Sequence, residues 1–219
     1  MRMEEILLLA GDVTVLQDPE RFREAYLAVS PERRAKTDRL RREEDQRLSL
    51  GAELLLFRGC REIGLEPEKL VIQTGTCGKP FFEGNPVHFN LSHSGSRVLC
   101  ALSPVPVGCD TEKIQPADPG LISSAFFPEE QALLQRCSGE EERNRLFFRI
   151  WTLKESVLKC TGQGFHKRMD SFSVAECLEG KPLGSLWLGE KDLGDGYCYS
   201  FCAIAEGGRI GAAFRWEDL

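Results

Sequence analysis

W-T-L-K-E-S-V-L-K, residues 151–159, lies inside an apolar helical pattern, and its reading face by face decides how the chain folds. At about 100° per residue, Leu146, Ile150, Leu153 and Val157 share one side, flanked by Phe147 and Leu158, so that stripe is a core face. Trp151, Glu155 and Lys159 form an adjacent row at four-residue steps, at the border of the core. A Glu–Lys pair at this spacing adds only about 0.2–0.5 kcal/mol to an exposed helix, and ordinary surface helices carry such pairs. Lys154 is the anomaly. It projects beside Ile150, towards the core, where it must snorkel or meet a negative group because an unpaired buried charge is costly.

Working outward, the helical pattern spans about 141–160 and opens a second half whose order of elements repeats the first. Ser30-Pro31-Glu32 reads as a helix start, with a capping serine, a proline at the first helical position and an acid in the first turn. Phe127-Pro128-Glu129-Glu130 reads as another. Leu48, Leu50, Leu54, Leu55 and Phe57 give a first apolar helix face that ends before Gly64. Strands are expected at 6–16, 71–75, 87–91, 97–102 and from Val105 onward, then at 171–177, 185–189, 197–205 and 209–215. Two helix-rich segments, each followed by strands, indicate a duplicated unit of about 100 residues. The expected fold is therefore α/β (α+β): two similar halves related by a pseudo-twofold, each with helices packed on a mainly antiparallel sheet. The division is set at 1–110 and 111–219, and a ligand is expected in the groove between the halves.

The chain has 219 residues, 42% of them hydrophobic and 28% charged, with a net charge of −6. This is the composition of a soluble globular protein, and the acidic balance argues against nucleic-acid binding. The run Ile6-Leu7-Leu8-Leu9-Ala10 is too short for a membrane span, and Glu4 and Glu5 precede it where a signal peptide would be basic. Nine cysteines are scattered without a C-x-x-C pair, which fits neither a zinc site nor a disulfide framework and points to a reducing cytosol.

In V-P-V-G-C-D-T-E-K-I, residues 105–114, Val105, Val107 and Cys109 alternate as a strand does. Asp110 and Glu112 fall side by side on the other face, roughly 6–7 Å apart. Paired carboxylates need a cation or a proton between them, and Glu155 would make a third oxygen donor suited to Mg²⁺. A solvated strand end beside Lys113 is the plainer alternative. T-G-T-C-G-K-P-F, residues 74–81, is glycine-rich and carries Lys79, but its spacing is not that of a Walker loop, and a simple turn accounts for it equally. F-N-L-S-H-S-G-S, residues 89–96, brings Asn90, Ser92 and His93 to a strand end, where hydrogen bonds to a phosphate fit better than a hydrolase dyad. Arg33, Arg34, Lys36 and Arg47 add positive charge on the first helical segment.

Taken in order, G-K-P-F, F-N-L-S-H-S, V-G-C-D-T-E and F-F-R-I-W-T-L-K-E-S-V-L-K-C-T-G-Q-G resemble the 4′-phosphopantetheinyl transferases of the surfactin-synthetase-activating type, and the likeness runs through essentially the whole chain. The resemblance implies a two-lobed monomer in the cytoplasm. Such a protein moves the phosphopantetheine arm of coenzyme A to a serine of an apo acyl or peptidyl carrier protein and releases 3′,5′-ADP, with Mg²⁺. By motif position, Asp110, Glu112 and Glu155 correspond to the Mg²⁺-binding acids. Glu155 is also the candidate general base, and Lys159 the group that stabilises or protonates the leaving phosphate. Lys79, Ser92 and His93 correspond to coenzyme A phosphate contacts, with Asn90 in the same cluster. Gly75, Thr76, Gly78, Lys79 and Pro80 border the nucleotide, and Arg47 corresponds to a phosphate-binding arginine that Arg33 and Lys36 could assist. Cys109 stands where a branched apolar residue is more usual in the family. Within 114–127, Leu121 and Phe126 are offered as carrier-docking residues, with Lys113 and Arg136 for steering. Another Mg²⁺-dependent phosphoryl enzyme, or a non-catalytic coenzyme A- or carrier-binding module, are the alternatives.

Overall fold

A computed structural model of the chain describes residues 4–75, 78–162, 168–205 and 209–219. The first half opens with β1 (Ile6–Asp12), α1 (Pro19–Ala28), α2 (Pro31–Thr37) and α3 (Glu43–Glu62). It continues with β2 (Ile72–Thr74), β3 (Pro80–Phe82), β4 (His88–Ser94) and β5 (Arg97–Ser103). The second half holds β6 (Val107–Lys113), α4 (Pro119–Ala125), α5 (Pro128–Gln135), α6 (Glu140–Thr161), β7 (Leu186–Lys191), β8 (Tyr197–Ile204) and β9 (Ala212–Glu217). Local chemistry sets the ends. Ser30 accepts a hydrogen bond from the Arg33 N–H to start α2. α6 has Glu140, Glu141 and Glu142 in its first turn, where the helix dipole favours acids, and stops at Gly162 with φ +67°.

Two main sheets result, in the orders β4-β5-β1-β9 and β6-β8-β7, and β2 and β3 form a separate hairpin. All pairings are antiparallel except β1 with β9. α3 packs on the first sheet through Leu50, Leu55, Leu56 and Cys60. α6 packs on the second through Ile150, Leu153, Val157 and Cys160, so a long helix on a sheet recurs in each half. A third cluster lies between the sheets. Ile6, Leu8 and Ala10 from β1 meet Val107 and Cys109 from β6 and Tyr199 and Phe201 from β8. β6 spans both sides of the expected 110/111 division, and β9 returns from the end of the chain to extend the first sheet.

Gly108 sets how closely α6 approaches β6. A Cβ there would collide with the Ser156 carbonyl oxygen and the Cys160 backbone, whose Cα would lie 2.9 Å away. The register that brings α6 alongside Asp110 therefore requires glycine at this position.

Two strand expectations are corrected. The first strand stops at Asp12, whose side chain accepts from the Thr14 N–H and starts a 3-10 turn over Val13–Gln17. Residues 171–177 form no strand; they belong to 3-10 turns at Met169–Ser171 and Ala175–Glu179 and the link between them. The cause is side-chain competition for the backbone. Lys154 Nζ donates to the carbonyls of Met169 (2.8 Å) and Phe172 (2.5 Å), and Glu130 accepts from the Val174 N–H at 2.7 Å. These groups are thereby unavailable to a sheet neighbour.

Candidate active site

Lys154 finds its negative partner in Glu130, at 2.9 Å, with both side chains fully buried. Neither Asp110 nor Glu112 takes part in this pair. Glu130 also accepts from the Phe127 N–H at 2.7 Å, so each of its oxygens is used and α5 is tied to α6. This pair supports the helix from behind.

The seam between β4, β6 and the end of α6 gathers the polar residues. Asp110 is buried on β6, and its Oδ1 accepts from Ser92 Oγ at 2.7 Å and from Lys159 Nζ at 2.6 Å. Its Oδ2 is buried and makes no hydrogen bond among the described residues. Glu112 accepts from Ser94 Oγ at 2.6 Å. Glu155 is half-buried one helical turn before Lys159 and accepts no hydrogen bond among the described residues.

These three acids are electrostatically linked. Burial, the largest influence, raises the carboxyl pKa of each. The Asp110 charge then raises Glu112 and Glu155, Glu155 raises Glu112, and Lys159 lowers all three without restoring their ordinary values. For Lys159, burial alone would lower the ammonium pKa, but Asp110, Glu155 and other nearby groups outweigh it and the pKa is raised. Lys159 is in contact with Asp110 alone of the three acids, so the ammonium does not pair with Glu112 or Glu155.

Among the described residues no three His, Cys, Asp or Glu side chains are gathered as a ready-made metal cage. The donor set still fits a hard cation. Mg²⁺ takes one or two protein carboxylates and completes its shell with water and phosphate oxygens, so it needs no full protein cage. The unpartnered Asp110 Oδ2, and the raised pKa values of Glu112 and Glu155 beside the Asp110 charge, are the features such an ion would satisfy.

The remaining predicted residues divide. His93 lies near Lys159 and Lys36; partial loss of surrounding water and then those two charges hold its pKa below the ordinary value. Arg47 pairs loosely with Glu43 at 3.4 Å and lines a depression of about 290 Å³ with Ser96, Lys113 and Tyr197. Arg33 is held by buried Glu53 at 3.2 Å. Asn90 is buried and accepts from the Cys109 N–H at 2.9 Å. Lys79 donates to the carbonyls of Val107 (2.8 Å), Lys159 (2.7 Å) and Cys160 (3.4 Å), bracing the hairpin against β6 and the end of α6. Gly75, Gly78 and Pro80 belong to the β2–β3 hairpin, where the Gly78 N–H donates to the Gly75 carbonyl at 2.9 Å. Thr76 lies outside the described residues, as does Gln163-Gly164 of the last motif. Leu121 is 38% exposed, whereas Phe126 is 1% exposed and stacks on Phe147 at 5.0 Å, so Phe126 is a core residue and leaves the docking set.

Sequence reading overlooked Glu130 and Ser94. The lone lysine on an apolar face was the signal for the first. The alternation Asn90-x-Ser92-x-Ser94 was the signal for the second.

An α/β protein of two joined sheets, with its acids and lysine at the seam, is the class these features define. The model of the 4′-phosphopantetheinyl transferase superfamily matches residues 106–202. A model for the N-terminal part of 4′-phosphopantetheinyl transferases matches 17–105, so the two meet just before β6. A 4′-phosphopantetheinyl transferase of Bacillus subtilis is 35% identical over 149 residues, 67% of this chain and 66% of its own length. The transferase Sfp of Bacillus subtilis strain 168 is 35% identical over 67% of this chain and 66% of its own length. The transferase psf-1 of Bacillus pumilus is 37% identical, over 67% and 63%. The chain belongs to the 4′-phosphopantetheinyl transferase superfamily. The matched stretch spans about two thirds of the length of these curated relatives.

Proposed function

We propose that the chain transfers the 4′-phosphopantetheine arm of coenzyme A to a serine of an apo acyl or peptidyl carrier protein, releasing 3′,5′-ADP. One observation carries this reading: at the seam of β4, β6 and α6 the Lys159 ammonium lies 2.6 Å from Asp110 and 3.0 Å from Ser92. Asp110, Glu112 and Glu155 are the residues that would hold Mg²⁺, which supplies positive charge to the diphosphate under attack. Glu155, the acid free of hydrogen bonds among the described residues, takes the proton of the carrier serine. Lys159 lies one turn on and supports the departing phosphate. His93, Lys36 and Arg47 serve the other phosphates. Lys79 is left out of that set because three backbone carbonyls already hold its ammonium.

Both sheets contribute to the seam within one chain, which supports a monomer. The exposed Leu121 on α4, with exposed Lys113 and Arg136 nearby in sequence, supports docking of an acidic carrier helix. No described helix is long and apolar enough to cross a membrane. The scattered cysteines, of which the eight described are all free thiols, support a cytoplasmic site of action. The test is incubation with coenzyme A, Mg²⁺ and several apo carriers, read by mass spectrometry. One phosphopantetheine on the carrier serine is expected. Cleavage of coenzyme A without transfer to any carrier would overturn the assignment.

A further inference from the structure

β4 meets β6 through a ladder made of side chains. Asn90, Ser92 and Ser94 occupy alternate positions and therefore one face of β4. Their side-chain oxygens accept the N–H groups of Cys109 (2.9 Å), Thr111 (3.3 Å) and Lys113 (3.1 Å), which are alternate positions of β6. The two sheets are thus joined in a fixed register at the seam.

This arrangement constrains the two hydroxyl protons. A serine hydroxyl has one hydrogen to donate and two lone pairs. In each serine a β6 N–H takes a lone pair, so the O–H turns to the remaining acceptor. For Ser92 that acceptor is Asp110 Oδ1 at 2.7 Å, and for Ser94 it is Glu112 Oε2 at 2.6 Å. Each hydroxyl thus donates to one carboxylate oxygen of β6. Asp110 is also held by Lys159, but the hydroxyl of Ser94 is the only hydrogen bond that Glu112 accepts among the described residues. Its other oxygen is left for a ligand.

We propose that Ser94 is a positioning residue: a hydroxyl from the first half that fixes one oxygen of Glu112 and so aims the other at the cation. This rests on the reading of Glu112 as a cation-holding acid. Partners behind metal-ligating carboxylates commonly change metal affinity about 10–100-fold when removed.

The test uses the full chain and Mn²⁺ as the probe, with bound ion measured by electron paramagnetic resonance and no turnover required. Ser94→Ala is expected to weaken Mn²⁺ binding about tenfold or more. Ser94→Cys, close in size but a weak donor, is expected to do the same. A purely structural serine would lower the melting temperature and leave the Mn²⁺ affinity of the folded protein unchanged. Glu112→Gln separates the two readings. Wild-type Mn²⁺ affinity in a folded Ser94 variant, with loss in Glu112→Gln, overturns the role of Ser94 and leaves Glu112 in place. Wild-type affinity in Glu112→Gln overturns both.

Discussion

Lys159 Nζ lies 2.6 Å from Asp110 Oδ1 and 3.0 Å from Ser92 Oγ, so the end of α6, the middle of β6 and a strand of the other sheet meet at one ammonium. Gly108 lets the helix approach this closely, and the carbonyl grip of Lys79 on residues 159 and 160 holds it there. The electrostatic centre of the seam is therefore assembled by the packing of α6 on β6.

Glu155→Gln is expected to lower turnover by about a hundredfold or more without unfolding the chain, as for loss of a catalytic base. Its effect on stability has the opposite sign. Burial raises the Glu155 pKa, so folding favours the neutral acid. That contribution is complete below the ordinary carboxylate pKa and is lost as pH rises through the raised value. The glutamine variant should therefore gain stability relative to the metal-free wild type as pH rises from below the ordinary carboxylate pKa through the raised one. Thermal melts at both ends check this; a gap that shrinks with rising pH would refute it.

Lys79→Met is expected to reduce kcat about tenfold, with KM for coenzyme A within about threefold of wild type, because the lysine holds the helix that carries Lys159. A phosphate contact made equally before and during reaction would instead raise KM and spare kcat. Steady-state kinetics with saturating carrier distinguishes the two.

Lys154→Met or Glu130→Gln should each cost about 3–5 kcal/mol in urea unfolding, since either leaves an uncompensated buried group. Changing both to well-packed apolar residues should cost less than the two losses added together. A loss under about 1 kcal/mol in both single variants would show that water reaches the pair in solution.

Leu121→Ala is expected to raise KM for the carrier severalfold and leave the melting temperature within a few degrees, as for an exposed docking side chain. Phe126→Ala should instead cost about 3–5 kcal/mol of stability, as a fully buried aromatic does. Unchanged KM for every carrier tested in the Leu121 variant would remove α4 from the docking surface.

Much of the architecture was legible in the residues. The period of 146–158 placed α6 and its core face, and the alternation of 105–112 put Asp110 and Glu112 opposite Val107 and Cys109. Proline and serine starts located α2 and α5. Each of these is a local property, set by backbone period, capping and the preference of apolar side chains for one face. Tertiary structure alone decided which groups meet. It gave Lys154 to Glu130, turned Lys79 onto three carbonyls, and kept 171–177 out of a strand by engaging its backbone with distant side chains. It also buried Phe126 while leaving Leu121 at the surface, and returned β9 to the first sheet. A residue's own sequence neighbourhood sets its face, but its partner is whatever satisfies its charge and hydrogen bonds once water is excluded, and that depends on packing between segments far apart in the chain.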